Sequence, residues 1–475
     1  MADGRDHGPG NSPRRHLWTE IFRSFQVALD PRKLLVAAAG IVVMSFGWWL
    51  LSYVFYEKQP SPDAPEYQPP ALSKEFENKK KPGTDQNYTE EDLKREGERR
   101  HREDLARWQV LDDLAGPGGR LRTMPWNEYR GPNPFLFVTT LLASPPGLWW
   151  EEVKAYLSTV APVLTEPLVK LLLPVAKVVS PGVSPLTRFY LLLIILWNLA
   201  VWAFCGGVIT RLAAVQIAGK GPITFRQAVR YVATRYVNYL CAPLIPLTII
   251  AVVALGLIVV GLIGMIPLIG DVVVFGVGLP LIIVAGAIMA VFLVGLVGYP
   301  LMYTTLSVEG DSSDTFDALS RSINYVYQAP WQYIWYSLVA LVYGAAVTFF
   351  VLFFASLMVY LGKWGVSQAP WNEAANRKPD YLFIFAPQSF GWRELMLKDS
   401  PYAVSPVEET KPTGRKVVEY KPANPDADRQ ARSEFWWYNT VGSGLVGLWL
   451  GLFFLMMLGF TYSFFWSAAT VIYLL

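Results

Sequence analysis

The feature that most limits this chain is Tyr239–Met302, about sixty residues whose only charge is Asp271. Roughly 20 apolar residues in a helix suffice to cross a bilayer. The run is broken at Gly264-Met265-Ile266-Pro267-Leu268-Ile269-Gly270-Asp271, a turn-forming cluster. The pattern predicts two membrane helices, 240–262 and 279–302, joined through a turn at 263–278, with Val272 as an alternative start for the second. Ahead of them, Gly221–Asn238 carries Arg226, Arg230 and Arg235 and no acid. It reads as a basic, partly apolar helix at the surface, within a segment spanning 210–239.

Composition generalises the point. The chain is 53% hydrophobic and 17% charged, against about 25% charged in soluble domains. Its charges collect between long uncharged blocks, the arrangement of a multi-pass membrane protein. A net charge of +3 is too small to suggest a nucleic-acid partner. Cys205 and Cys241 fall at span ends without metal spacing and read as small packing residues. His7, His16 and His101 lie in polar sequence, which excludes a histidine-ligated metal or haem within the membrane. No cofactor is expected.

Leu34–Phe55 is the first span. Its apolar core exceeds the roughly 7–15 residues of a signal peptide, and Leu51–Phe55 is a poor cleavage site, so it reads as an uncleaved anchor. Arg14, Arg15, Arg23, Arg32 and Lys33 precede it. Residues 1–33, with an interfacial helix over Trp18–Leu29, are therefore expected in the cytoplasm. Further spans are predicted at 189–209, 334–361 and 437–475. As a helix, Val441–Leu475 would reach about 52 Å, longer than the hydrocarbon core. Either it runs past the membrane and packs on protein, or the chain stops short.

Two insertions, 56–188 and 362–436, are expected outside, with 303–333 a second cytoplasmic helix. Within the first, Glu90–Leu111 is dense in both signs, and Glu91/Arg95 and Glu98/Arg102 stand four apart on one helix face. It is either a solvated helix or a partner-binding one with Leu105, Trp108 and Leu111 as its stripe. Asn87-Tyr88-Thr89 matches a glycosylation sequon. Residues 149–180 are apolar but interrupted by Glu151, Glu152, Lys154, Glu166, Lys170 and Lys177. At about 2.5–3.5 kcal/mol per charge at a bilayer centre, the segment is expected to lie in the interface. A crossing there would invert everything after it. The second insertion holds one strand-like run, Tyr381–Phe385.

The segments Ile21-Phe22-Arg23-Ser24-Phe25, Thr224-Phe225-Arg226-Gln227-Ala228 and Thr315-Phe316-Asp317-Ala318-Leu319 each precede a span. They suggest a threefold unit, a surface helix followed by a two-span hairpin. Such a repeat places all three surface helices on one side. Arg211–Asn238, with five basic residues and no acid, marks that side as cytoplasmic.

Chemistry is sparse. No phosphate loop, GxSxG elbow, HExxH or paired-cysteine motif occurs, and the carboxylates offer no catalytic pair. Asn198 is the main strongly polar side chain in a span; it makes either an interhelical hydrogen bond or a substrate contact. The aromatic, turn-rich stretches 122–134 and 386–395 either pack on one another against the outer membrane face or form a binding surface. Trp126, Arg130, Trp392 and Arg393 would be that surface's candidate residues.

The units Phe225-Arg226-Gln227-Ala228-Val229 and Phe316-Asp317-Ala318-Leu319, each feeding a span, loosely resemble bacterial multi-pass domains, such as the membrane domain accompanying glycerophosphodiester phosphodiesterases. The resemblance covers about Arg211–Leu361 and no phosphodiesterase domain accompanies it, so it implies a helical membrane module and no enzymatic activity.

The sequence thus predicts an all-α integral membrane protein of about six transmembrane helices. They would form three hairpins, each preceded by a cytoplasmic amphipathic helix, with two extracytoplasmic insertions. It is expected in a cell membrane, the inner one if bacterial. The leading expectation is a non-enzymatic scaffold or assembly component, its partners the lipid bilayer and membrane proteins met through the outer loops. The alternative is a transporter or channel subunit.

Overall fold

A computed structural model describes residues 17–56, 67–76, 88–113, 124–178, 183, 185–219, 221, 223–309, 313–369, 379–410 and 416–475. The described chain is almost wholly helical. Its helices are α1 (Arg23–Ala28), α2 (Pro31–Tyr56), α3 (Pro69–Phe76), α4 (Glu90–Asp113), α5 (Pro134–Ala143) and α6 (Trp149–Leu164). Next come α7 (Glu166–Val178), α8 (Pro185–Ile217), α9 (Phe225–Thr234), α10 (Tyr236–Gly264), α11 (Leu279–Gly295) and α12 (Tyr299–Val308). The last are α13 (Thr315–Gln328), α14 (Pro330–Ser367), α15 (Trp392–Leu397), α16 (Pro425–Ser433) and α17 (Trp437–Leu474).

Among the described residues, six helical stretches are long and apolar enough to cross a membrane: α2, α8, α10, Leu279–Val308, α14 and α17. That makes the chain a multi-pass membrane protein. Helices α8 and α14 run several residues beyond the uncharged windows expected for them, because Arg188, Arg211 and Lys363 continue a helix as readily as apolar residues do. A tilted or bent helix pair, Pro146–Ala161 with Glu166–Val178, meets at 58°.

The chain packs as two units. One comprises Met1–Lys33, Ala203–Gly344 and Ser463–Leu475. In it, Ser307 collects hydrogen bonds from three residues of α8 and α10: Thr210 (2.7 Å) and Tyr239 (2.8 Å) at its hydroxyl, and Arg211, which donates to its carbonyl at 2.5 Å. Tyr303 stacks on Trp466 at 5.1 Å. Gly206 is required there, since a Cβ would fall 2.7 Å from the Trp466 ring. Lys33 is fully buried and donates to Val27 O and Gln216 Oε1, both at 2.7 Å.

Helices α10 and α11 pack side by side in this unit. Between them Leu268 takes a left-handed φ of 72°, and Ile269–Val277 winds as a π-helix. Gly270 lies against the carbonyl of Gly264, where any Cβ would collide with backbone. The apolar window of Tyr236–Gly264 is 0% buried and that of Leu279–Val308 11%. Side chains such as Val252, Leu255, Leu281 and Ile283 therefore face outward, as a lipid-solvated pair requires.

The other unit comprises Leu34–Trp202 and Ala345–Tyr462. Helices α2 and α8 approach closely at Gly47, whose Cβ position lies 1.9 Å from the Trp197 indole. Gly459 likewise admits the α2 backbone, 2.8 Å from Leu34 O. Described parts of the insertions form helices of their own. Leu72, Phe76 and Leu93 make a small core between α3 and α4. The ion pairs on α4 join Arg99 and Arg100 to Glu96, and Arg99 to Glu103. The side chains of Trp108 and Leu111 lie outside the described residues, as does Asn87.

The expected strand at Tyr381–Phe385 is instead a 3-10 turn, Pro379–Phe383. The strands lie later: β1 (Val404–Thr410) pairs antiparallel with β2 (Lys416–Pro422), Val404 opposite Pro422 and Thr410 opposite Lys416. Pro406 and the charges of both strands obscure that hairpin in the sequence.

Candidate functional site

The most concentrated chemistry in the described residues is a buried ion quartet in the second unit. Asn133, with Pro134 behind it, caps α5 by accepting from Phe135 N (2.9 Å) and Leu136 N (3.2 Å). That fixes the preceding turn, Met124–Asn133, and points Glu128 and Arg130 inward. From the other side Glu166 opens α7 and Lys170 follows one turn later, on the same face.

The four side chains are at most 4% exposed. Arg130 Nε donates to Glu166 Oε2 at 2.6 Å and Nη2 to Glu166 Oε1 at 3.0 Å, the forked geometry of a guanidinium on a carboxylate. Arg130 also bonds Glu128. Lys170 Nζ bridges both acids, 2.8 Å from Glu166 Oε1 and 3.0 Å from Glu128 Oε2. Two cations thus face two carboxylates. Remaining donors are met by Pro125 O (2.5 Å) and Ser389 Oγ (3.0 Å) from Arg130, and Tyr462 OH reaches Glu166 Oε1 at 3.3 Å.

The quartet lies beside span residues. Lys170 Nζ is 6.0 Å from the Trp48 ring centroid. Trp48 Nε1 donates to Asn198 Oδ1 at 2.6 Å, joining α2 to α8. Asn198 Nδ2 turns to Lys170 O at 3.5 Å. Asn198 is 3% exposed and sits about 20 Å along its helix from Pro185.

These facts bear on two expectations. The charges of 149–180 are not all held at a surface: Glu166 and Lys170 are buried. Counting each charge as isolated overstated the cost, because partners from another segment neutralise them. Residues 124–134 and 386–395, moreover, do not present the four candidates as one exposed surface. Arg130 is 0% and Trp392 1% exposed, while Trp126 and Arg393 are half-buried.

Backbone and side-chain hydrogen bonds together join the two stretches. Gln388 N and Ser389 N donate to Trp126 O at 2.8 and 3.1 Å. Trp392 Nε1 and Asn133 Nδ2 both bond Ser356 Oγ of α14, at 3.0 and 3.2 Å. Asn133 Nδ2 also reaches Phe390 O at 3.0 Å. Phe390 (φ 54°) and Gly391 (φ 60°) take consecutive left-handed conformations, a backbone state that a buried phenylalanine rarely adopts. Arg393 folds back to Ala386 O at 2.9 Å.

No family model, curated protein or solved structure matches this chain.

The quartet's own geometry is therefore what bears on function. Its charges cancel internally, and its donors and acceptors are largely spent on one another. Among the described residues no group of three or more His, Cys, Asp or Glu could hold a metal ion. Sequence spacing could not have found the quartet: Arg130 and Glu166 are distant in the chain, and only the fold brings them together.

A second polar site lies on the same unit. A cleft of about 390 Å³ is lined by Leu136, Phe137 and Thr140 of α5 and by Glu394, Lys398 and Asp399. Burial pushes the Glu394 carboxyl up, partly opposed by the charge of Lys398.

Proposed function

We propose that this chain is a non-enzymatic integral membrane protein that scaffolds or assembles other components of a cell membrane, the inner membrane if the host is bacterial. The observation that carries the reading is the closed quartet Glu128–Arg130–Glu166–Lys170. It fastens the turn at 124–133 and helix α7 together, and through Ser389 and Tyr462 it reaches the second insertion and α17. A charge-balanced cluster whose groups mostly bond one another acts as a rivet, holding an outer layer in one shape on which partner membrane proteins dock.

The topology proposed with it has six spans as three hairpins, each preceded by an amphipathic helix on the cytoplasmic side. The N-terminus is cytoplasmic and both insertions are extracytoplasmic. The basic, acid-free segment Arg211–Asn238 supports that sidedness. The amphipathic character of α9 and α13 is supported by the burial of Ala228 and Val232 in α9 and of Ala318 and Ser322 in α13. Cysteines replacing Arg100 and Thr410 should label from outside and one replacing Lys220 from inside.

A second reading, a transporter or channel subunit, is favoured by the 58° bend between α6 and α7 beside buried ionisable groups, since broken helices and intramembrane charges mark transport sites elsewhere. Reconstitution into sealed vesicles separates the two. The scaffold reading expects solute and ion flux no greater than in protein-free vesicles. Flux that disappears with Glu166→Gln would overturn it.

A further inference from the structure

We propose that the cleft between α5 and the Glu394–Val404 segment binds a phospholipid with a primary-amine, ethanolamine-type headgroup. Its walls differ in kind. Leu136 and Phe137 form the apolar side, and Glu394, Lys398 and Asp399 the charged one. Among the described residues none of these three charged side chains is in an ion pair or side-chain hydrogen bond, unlike the quartet, whose charges are consumed internally. Two carboxylates and one ammonium on a single wall complement a ligand that carries both an ammonium and a phosphate.

The apolar side identifies the ligand as a lipid rather than a soluble zwitterion. Helix α5 is braced on the span α14 through Phe135, whose ring lies 5.9 Å from Phe353 and 5.2 Å from Tyr360. Beyond the cleft the same helix exposes Leu142 (69%), and Leu148 and Trp150 continue the apolar surface. An acyl chain can follow that surface while the headgroup occupies the cleft, whose volume of about 390 Å³ falls within the range of small-ligand sites.

The charged wall selects the headgroup. A primary ammonium donates up to three hydrogen bonds to carboxylates. A quaternary choline donates none, and proteins hold it with aromatic cages; the aromatic lining this cleft is Phe137. A phosphoglycerol headgroup offers Lys398 its phosphate but gives Glu394 and Asp399 no counter-charge.

The test is native mass spectrometry of the full-length protein in detergent, titrated with ethanolamine, choline and glycerol phospholipids of identical acyl chains. The wild type should retain the ethanolamine lipid about tenfold more tightly than either other lipid, the worth of one charge-assisted hydrogen bond. Glu394→Gln should abolish that preference, and Lys398→Gln should weaken all three lipids together. If Glu394→Gln does not fold, Asp399→Asn, on an exposed side chain, makes the same test. Equal retention of the three lipids by the wild type would overturn the proposal, as would an unchanged preference in the carboxamide variant. Displacement of the lipid by an equal concentration of soluble phosphoethanolamine would show a site for the free zwitterion and overturn the lipid assignment.

Discussion

Arg130 and Glu166 meet as a forked ion pair with no solvent exposure on either side chain, Nε to Oε2 at 2.6 Å. Neither residue alone belongs in an apolar interior, where stripping a charge of water costs several kcal/mol. Together with Glu128 and Lys170 they form a cluster whose net charge is zero. The turn at 124–133 and α7 consequently have one way to close, and a one-turn slip of α7 would strand a charge.

Arg130→Met should therefore destabilise the protein by about 3–5 kcal/mol, because it leaves two buried carboxylates facing a single cation. Arg429→Met is the matched control. Arg429 pairs with Asp426 at 3.8 Å with both side chains at least 80% exposed, and such pairs contribute about 0–1 kcal/mol. Denaturant or thermal unfolding in a mild detergent compares the two; equal losses would remove the quartet from its structural role.

Asn198→Leu should cost roughly 0.6–1.7 kcal/mol, from the average to the maximum measured for hydrogen bonds between membrane helices, because it leaves the Trp48 indole without its acceptor. A double-mutant cycle with Trp48→Phe should return a coupling energy of that size. Additive losses would mean that Asn198 acts through packing alone.

Gly391→Ala should destabilise by about 1–2 kcal/mol through the left-handed backbone, with a further cost from its Cβ lying 3.2 Å from Asn133 N. Gly147→Ala is the contrast, since nothing lies within 4 Å of a Cβ there. Equal melting temperatures for the two variants would contradict the tight seating of the Phe390–Gly391 turn against Asn133.

Glu394 supplies a pH dependence. Burial raises its carboxyl above the ordinary value of 4.5, opposed by Lys398; Tyr420 and Asp399 are the other titratable groups facing it. A raised carboxyl binds its proton more tightly when folded, so its stabilising contribution is complete below pH 4.5 and is lost as pH rises through the folded value. Glu394→Gln should gain stability relative to wild type across that rise. Parallel stability curves from pH 4 to 7 would contradict the burial.

Much of the architecture is legible from charge alone. Leu34–Phe55, Tyr239–Met302 and Val441–Leu475 carry one charge between them, Asp271, and the long apolar helices cover all but the break at 265–278 and Leu475. Asn198 stands out because a span offers so few other polar groups, and its fold partner is a tryptophan indole on α2. The quartet is not legible in this way. Hydropathy weighs each residue against its chain neighbours, so Glu166 and Lys170 register as uncompensated charges when Glu128 and Arg130 neutralise them across the fold. For the same reason Arg130 and Trp392 look like surface recognition residues, although the ring of Trp392 packs against Phe453 and Phe454 of α17. Tyr381–Phe385 is β-prone by composition, yet Pro379 and the Arg393–Ala386 hydrogen bond belong to a turn.

If the proposed rivet holds a docking layer in shape, other proteins are held in the membrane by this chain. The most direct measurement is the mass of particles carrying this chain, extracted with their surrounding lipid into polymer-bounded discs. Discs should contain a second protein at fixed stoichiometry, lost when Arg130→Met loosens the layer. Discs holding this chain and lipid alone would contradict it.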